Sequence, residues 1–170
     1  MGKTGLPNQR EIARMVEAYS DMLLRLALNR TQSIPEAEDI VQTVYLRLLR
    51  ANPEFRSAEH EKSWLLRTTI NLCKDYRKSA ARRTSVPLDE ASLTTLPPET
   101  AEVLDAVNQL PESDRYAVYL FYFERMPIGE IASILGEKEG TVSSRLSRAR
   151  KKLKALLKGE GYESDRKSGV

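Results

Sequence analysis

Two blocks of basic residues in this chain carry the chemistry needed to bind a polyanion. The stretch Glu139 to Lys158 holds seven lysines and arginines and no acid after its first residue. From Arg67 to Arg83, six bases stand against the single acid Asp75. Ammonium and guanidinium groups bind phosphate oxygens, and guanidinium also hydrogen-bonds base edges. A single charge run is more often a solvated helix face, but two runs on amphipathic helices favour two contacts with a polyanion.

The segment between the two basic blocks is acidic. Residues 84–114 contain seven acids and no base. The chain of 170 residues therefore has a formal net charge of only +3. The small net charge conceals a basic–acidic–basic order, which indicates that different parts of the chain contact different partners.

The composition argues against catalysis and against metal binding. The chain has one cysteine, Cys73, and one histidine, His60, so neither an internal disulfide nor a four-ligand zinc site can be built. No nucleophile motif adjoins His60, and no glycine-rich phosphate loop is present. The longest apolar run, Tyr116 to Phe123, is too short to span a bilayer. We therefore predict no enzyme activity, no metal, no cofactor, no membrane insertion and a cytoplasmic location.

Apolar residues recur at three- and four-residue steps along most of the chain, a spacing typical of amphipathic helices. In the first half they predict helices over 9–30, from Pro35 to about Asn52, and over 60–81. In the second half they predict helices over 99–109, 112–124, 127–135 and 139–157. The segment RYAVYLFYF has the composition of a strand, but a helix start over 111–114 precedes it, and we predict helix.

The last two helices have the spacing of a helix-turn-helix. Ala132 is small enough for close helix approach, and Gly136, four residues later, allows a left-handed turn. Val142 is expected to pack the second helix against the first. An ordinary helical hairpin can show the same spacing, but the basic outer face of this helix favours a DNA major-groove reader.

The chain is therefore predicted to be all-α. It has two small helical domains joined by a flexible acidic linker, the C-terminal one a helix-turn-helix. The predicted limits are 1–83 for the first domain, 84–98 for the linker, 99–158 for the second domain and 159–170 for a polar tail.

A second candidate surface lies on the third helix. Arg67, Asn71, Lys74 and Lys78 are spaced four, three and four residues apart and form one narrow stripe. An asparagine among cations can read a base edge while the cations follow phosphates. Trp64, near the start of the helix, could stack on an unpaired base, although a lone tryptophan is more often a core residue.

Three stretches together resemble the small sigma factors of bacterial RNA polymerase, the extracytoplasmic-function type. They are AEDIVQTVYLRLL, SWLLRTTINLCKDYRKSAARR and LPESDRYAVYLFYFERMPIGEIASILGEKEGTVSSRLSRARKKLKALL. The resemblance covers residues 9 to 158 in the family's order. It implies a promoter-specificity subunit that recruits core RNA polymerase and opens promoter DNA, and it allows for an anti-sigma protein as a further partner.

The resemblance also implies a role for each candidate residue. Contacts with core polymerase are expected from Glu38, Asp39, Gln42 and Arg47. Reading and melting of the −10 element are expected from Asn71, Lys74, Arg77, Lys78, Arg67 and Trp64, with Phe55 and Arg56 as weaker candidates. Reading of the −35 element is expected from Ser143, Ser144, Arg145, Ser147, Arg148 and Lys151. The acidic linker is expected to lie in the polymerase, toward the RNA exit path.

Some positions depart from the family pattern. Glu137 replaces a small or apolar residue, and Ser143 and Ser147 replace larger side chains. Arg145 could be a surface ion-pair partner rather than a DNA contact.

Two other functions stay open at the level of sequence. A free-standing helix-turn-helix regulator would explain only the second domain. An all-helical protein that binds an acidic partner protein would explain the basic faces without DNA.

Overall fold

The computed structural model describes residues 8–80 and 98–158, and an all-α fold is confirmed. The contacts divide the chain into two units, Met1–Glu90 and Ala91–Val170. Most of the predicted linker, residues 84–97, and the predicted tail, 159–170, lie outside the described residues.

The first unit consists of three helices, α1 (Gln9–Thr31), α2 (Ile34–Ala51) and α3 (Ala58–Ala80). The Asn8 side chain caps α1 by accepting a 3.1 Å hydrogen bond from the Arg10 N–H. α1 and α2 both end at a left-handed residue, Gln32 with φ 54° and Asn52 with φ 40°. In both cases the N–H of the left-handed residue caps a carbonyl four residues earlier. Pro35 occupies the first turn of α2, as predicted from the sequence.

Each helix of the first unit packs on the other two through its apolar stripe. The most deeply buried large side chains are Leu23, Leu26, Val44, Leu48, Leu65, Leu66 and Ile70. Each stabilises the fold by roughly 1.5–3 kcal/mol relative to an exposed side chain. Cys73 is buried among them. An ion pair joins α1 to α3 beside this core, with Arg14 Nη2 2.8 Å from Oε2 of the buried Glu61.

The second unit consists of α4 (Pro98–Asn108), α5 (Glu112–Val118), α6 (Ile128–Leu135) and α7 (Glu139–Lys158). α5 continues into a π-helical turn, Tyr119–Phe123, so the segment RYAVYLFYF is helical as predicted. The π turn itself was not predicted. In it the Glu124 N–H donates to the Tyr119 carbonyl at 3.2 Å, and the rings of Tyr119 and Phe123 stack with centroids 5.5 Å apart.

The core of the second unit surrounds α5 and the inner face of α7. Five consecutive residues, 116–120, are buried, so this segment is enclosed on all sides, which explains why apolar residues follow one another there without interruption. Against it pack Ile131 and Ala132 of α6 and Val142, Leu146 and Ala149 of α7. The buried stripe of α7 leaves the opposite face of that helix to solvent.

Candidate nucleic-acid and partner-binding surfaces

The helix-turn-helix predicted from the sequence is formed by α6 and α7. Ala132 and Val142 are buried where the two helices meet. Gly136 has φ +67°, and the next N–H, of Glu137, donates to the Ala132 carbonyl at 2.9 Å. A Cβ placed on Gly136 would meet no atom within 4 Å. Glycine is therefore favoured here by the left-handed backbone and not by lack of space.

The outer face of α7 presents five of the six residues predicted for the −35 element. These residues are exposed: Ser143, Ser144, Ser147, Arg148 and Lys151. At about 100° per residue they lie opposite Val142 and Leu146, the residues that hold α7 against the unit. Three hydroxyls at the beginning of the helix can hydrogen-bond base edges, and the two cations that follow can reach base edges or phosphates.

Arg145, the sixth residue, lies at the edge of this face, about 60° around the helix from Arg148, and is held by two carboxylates. Its Nε and Nη2 donate to Glu137 Oε2 and Oε1 at 2.8 and 2.9 Å, and its Nη1 donates to Asp114 Oδ1 at 3.2 Å. These bonds, first that to Glu137, raise the pKa of Arg145, although partial burial opposes the rise. The geometry favours the ion-pair role that the sequence left open for this residue.

The stripe on α3 is exposed along its length. Arg67, Asn71, Lys74 and Lys78 all face solvent, within about 60° of one another around the helix. Trp64 lies beside this stripe and is half-buried. The side chain of Arg77 lies outside the described part of the chain. An amide between cations on one exposed face can read a base while the cations hold the backbone.

The rings of Phe55, His60 and Trp64 form an aromatic corner next to the beginning of the stripe. The Phe55 ring meets the Trp64 ring edge to face with centroids 6.1 Å apart, and it meets the His60 ring in the same way at 5.5 Å. Ser57 Oγ accepts from the His60 N–H at 3.1 Å and caps α3, while His60 Nδ1 accepts from the Arg56 N–H at 3.3 Å. His60 is exposed and lies in the first turn of α3, where its ring forms part of this corner.

The candidate polymerase contacts lie on α2. Glu38, Asp39, Gln42 and Arg47 are all exposed. The helix places the first three on one face, whereas Arg47 lies about 140° around the axis from Gln42.

Two leucines that the sequence did not single out share the face of Gln42. Leu46 and Leu49 have 52% and 38% of their surface exposed. Leucines on an amphipathic helix are normally assigned to the core, but helical spacing places these two with Gln42 and away from Val44 and Leu48. That spacing is the signal that could have found them. An exposed apolar pair beside polar residues is typical of a protein-binding surface.

Two family models match this chain, one in each unit. Sigma-70 region 2 matches residues 15–83, and Sigma-70, region 4 matches residues 100–153. The chain is 34% identical over 148 residues to the ECF RNA polymerase sigma factor SigM of Mycobacterium tuberculosis, which covers 85% of this chain and 76% of that protein. This chain belongs to the extracytoplasmic-function sigma factors. As an RNA polymerase sigma factor of this family, it initiates transcription and is not itself an enzyme.

Solved structures agree with this assignment. The sigma factor is similar to CnrH in complex with the cytosolic domain of CnrY, with 26% identity and a TM-score of 0.71 over 91% of this chain and 92% of that one. It shares its fold with the sigma factor RpoE in complex with the anti-sigma factor NepR from Bartonella quintana, at 22% identity and a TM-score of 0.71 over 89% and 99% of the two chains.

Two further observations concern only the described residues. None of their helices is long and apolar enough to cross a membrane. Within 8–80 and 98–158, histidines, cysteines and carboxylates form no group of three or more that could hold a metal ion.

Proposed function

We propose that this sigma factor divides promoter recognition between its two units. α7 reads the −35 element through Ser143, Ser144, Ser147, Arg148 and Lys151. α3 reads and melts the −10 element through Asn71, Lys74, Arg77 and Lys78, with Arg67 and Trp64 beside them. The proposed domain limits are 1–83 and 99–158, with a linker over 84–98 and a tail over 159–170.

The observation that carries this proposal is the pair of exposed polar and basic faces, one within each matched sigma-70 region. Each lies on a helix whose opposite face is buried, so the helix is fixed while its outer side chains are available. Duplex recognition suits α7, because it is the second helix of the helix-turn-helix, the one that enters the major groove. Single-strand capture suits α3, because Trp64 on this helix and Phe55 in the loop before it provide aromatic surfaces on which bases can stack.

Core RNA polymerase is the proposed partner of α2. Glu38, Asp39 and Gln42 supply polar contacts, and Leu46 and Leu49 supply apolar area beside them. Arg47 is proposed as a contact at the margin of this surface because it lies on a different face. A mixed apolar and polar surface of this kind is typical of a reversible protein interface.

We further propose that an anti-sigma protein binds this sigma factor and that it acts in the cytoplasm. A sigma factor of the same fold has been solved in complex with the anti-sigma factor NepR. Promoter DNA and core polymerase would both be met in the cytoplasm.

Transcription from mixed templates tests the proposal. The purified chain would be mixed with sigma-free core polymerase and fragmented host DNA, and the transcripts sequenced. We expect protein-dependent start sites that share two upstream motifs at a fixed spacing. DNA binding without polymerase, together with no protein-dependent transcript, would overturn the proposal in favour of a free-standing regulator.

A further inference from the structure

Arg145 connects three separate parts of the second unit. It lies in α7, Glu137 lies in the turn before that helix, and Asp114 lies in the first turn of α5. Three N–H···O bonds of 2.8, 2.9 and 3.2 Å join the three side chains. The network therefore fixes α7 both to its own turn and to the central helix of the unit.

The arrangement leaves Arg145 poorly available to DNA. Glu137 engages the Nε and Nη2 edge of the guanidinium, which is one of the two edges that can bind a guanine in bidentate fashion. Only 23% of the Arg145 side chain is exposed, against 22% for Glu137 and 10% for Asp114. Two carboxylates also outweigh one guanidinium, so the network as a whole carries negative charge.

The position of Arg145 on α7 leads to the same conclusion. It is about 60° around the helix from buried Val142 and about 120° from Lys151 at the middle of the exposed face. Arg148, only three residues further on, belongs to that exposed face.

We infer that Arg145 positions the reading helix and does not contact DNA, because Glu137 and Asp114 hold it. Arg145 is thus removed from the set of proposed −35 contacts, and the inference rests on the proposed role of α7 in reading that element. Glu137 has a second effect. By binding the guanidinium it keeps a cation at the edge of the DNA-facing surface from making a phosphate contact that carries no sequence information.

The Glu137→Gln substitution separates these roles. A neutral amide binds guanidinium more weakly than a carboxylate does. In this variant the Nε and Nη2 edge of Arg145 can therefore turn to a phosphate, while Nη1 keeps its bond to Asp114. One added phosphate contact makes the slope of log K against log salt steeper by about 0.9. Binding should strengthen several-fold to both the correct and the scrambled −35 element, because a phosphate contact carries no sequence information, and discrimination between the two elements should stay the same.

Two variants serve as controls for Glu137→Gln. Glu139→Gln removes the same charge two residues away, at an exposed position, and should leave the salt slope unchanged. The double variant Glu137→Gln with Arg145→Gln should return the slope to that of the unmodified protein, because the added contact depends on Arg145. Circular dichroism at the assay temperature would establish that each variant is folded.

The experiment uses the full chain in complex with host core polymerase. A promoter fragment is first selected from random-sequence duplexes, and a second fragment has its −35 element scrambled. Binding to both is measured across about 50–200 mM salt, the range in which phosphate contacts change affinity most visibly. A steeper slope for Glu137→Gln alone would support the inference.

Two results would overturn the inference. One is an unchanged salt slope and an unchanged affinity for both fragments in Glu137→Gln. The other is a slope shallower by about 0.9 in the single Arg145→Gln variant, which would mean that Arg145 already contacts phosphate. Failure of the proposed function would look different: the unmodified complex would not distinguish the correct −35 element from the scrambled one.

Discussion

Arg145 and Arg148 stand three residues apart on α7 and have different surroundings. Arg148 is exposed on the face opposite the core, whereas Arg145 is bound by two carboxylates. The sequence identifies both as bases in one basic block and cannot separate them. One of the acids that binds Arg145, Asp114, is 31 residues away in the chain. Sequence spacing within one helix carries no information about such a partner.

Replacing Arg148 with alanine should weaken binding to the −35 element about tenfold, because a base or phosphate contact is lost while the fold is kept. The matched control is Arg150→Ala, an exposed arginine about 160° around the helix from Arg148. Binding of the polymerase complex to a selected promoter fragment would be measured for both. Equal losses for the two variants would show that the DNA-facing side of α7 is wrongly assigned.

Replacing Gly136 with alanine should lower the free energy of unfolding by about 1 kcal/mol, because alanine resists the left-handed backbone. The space around Gly136 is open, so no clash contributes. Gly140→Ala is the control, since Gly140 lies within α7 with equally open surroundings and alanine favours helix. Urea denaturation should show opposite signs for the two variants. Destabilisation of similar size in both would contradict this explanation of the turn.

At the scale of elements, the helices were predictable and two of their details were not. Apolar periodicity predicted the helix over 9–30 that is observed as Gln9–Thr31, and Pro35 marked the beginning of α2. The π turn after α5 was not predicted, because the apolar run Tyr116 to Phe123 has no polar residue whose spacing would reveal a change of helix type. Leu46 and Leu49 were missed because hydrophobicity alone does not tell a core leucine from one that awaits a partner.

The double substitution Leu46→Ala and Leu49→Ala should weaken binding to core polymerase about tenfold, through the loss of apolar area at the interface. Stability of the free chain should change little, since both side chains are substantially exposed. Arg47→Ala, on a different face of α2, should produce a much smaller loss. Titration of labelled protein with core polymerase gives both values. A larger effect from Arg47 than from the two leucines would exclude this face as the main contact.

At the scale of the whole molecule, the proposal gives the two helical units different parts of promoter recognition. The order of charge along the chain, basic, acidic and basic, was visible in the sequence and predicted two DNA-facing helices. The structure places an exposed polar face on α3 and another on α7, each within its own sigma-70 region. The assignment of opening to α3 and duplex reading to α7 is the central claim of the proposal.

Transcription from ordinary and premelted promoters tests that claim most directly. On ordinary duplex promoter, both Asn71→Ala and Arg148→Ala should reduce transcription. On a template whose −10 region is already single-stranded, the opening step is no longer needed. Asn71→Ala should then recover most of its activity, and Arg148→Ala should remain impaired because the −35 duplex is unchanged. Equal recovery of both variants, or recovery of Arg148→Ala alone, would contradict the division of promoter recognition between the two units.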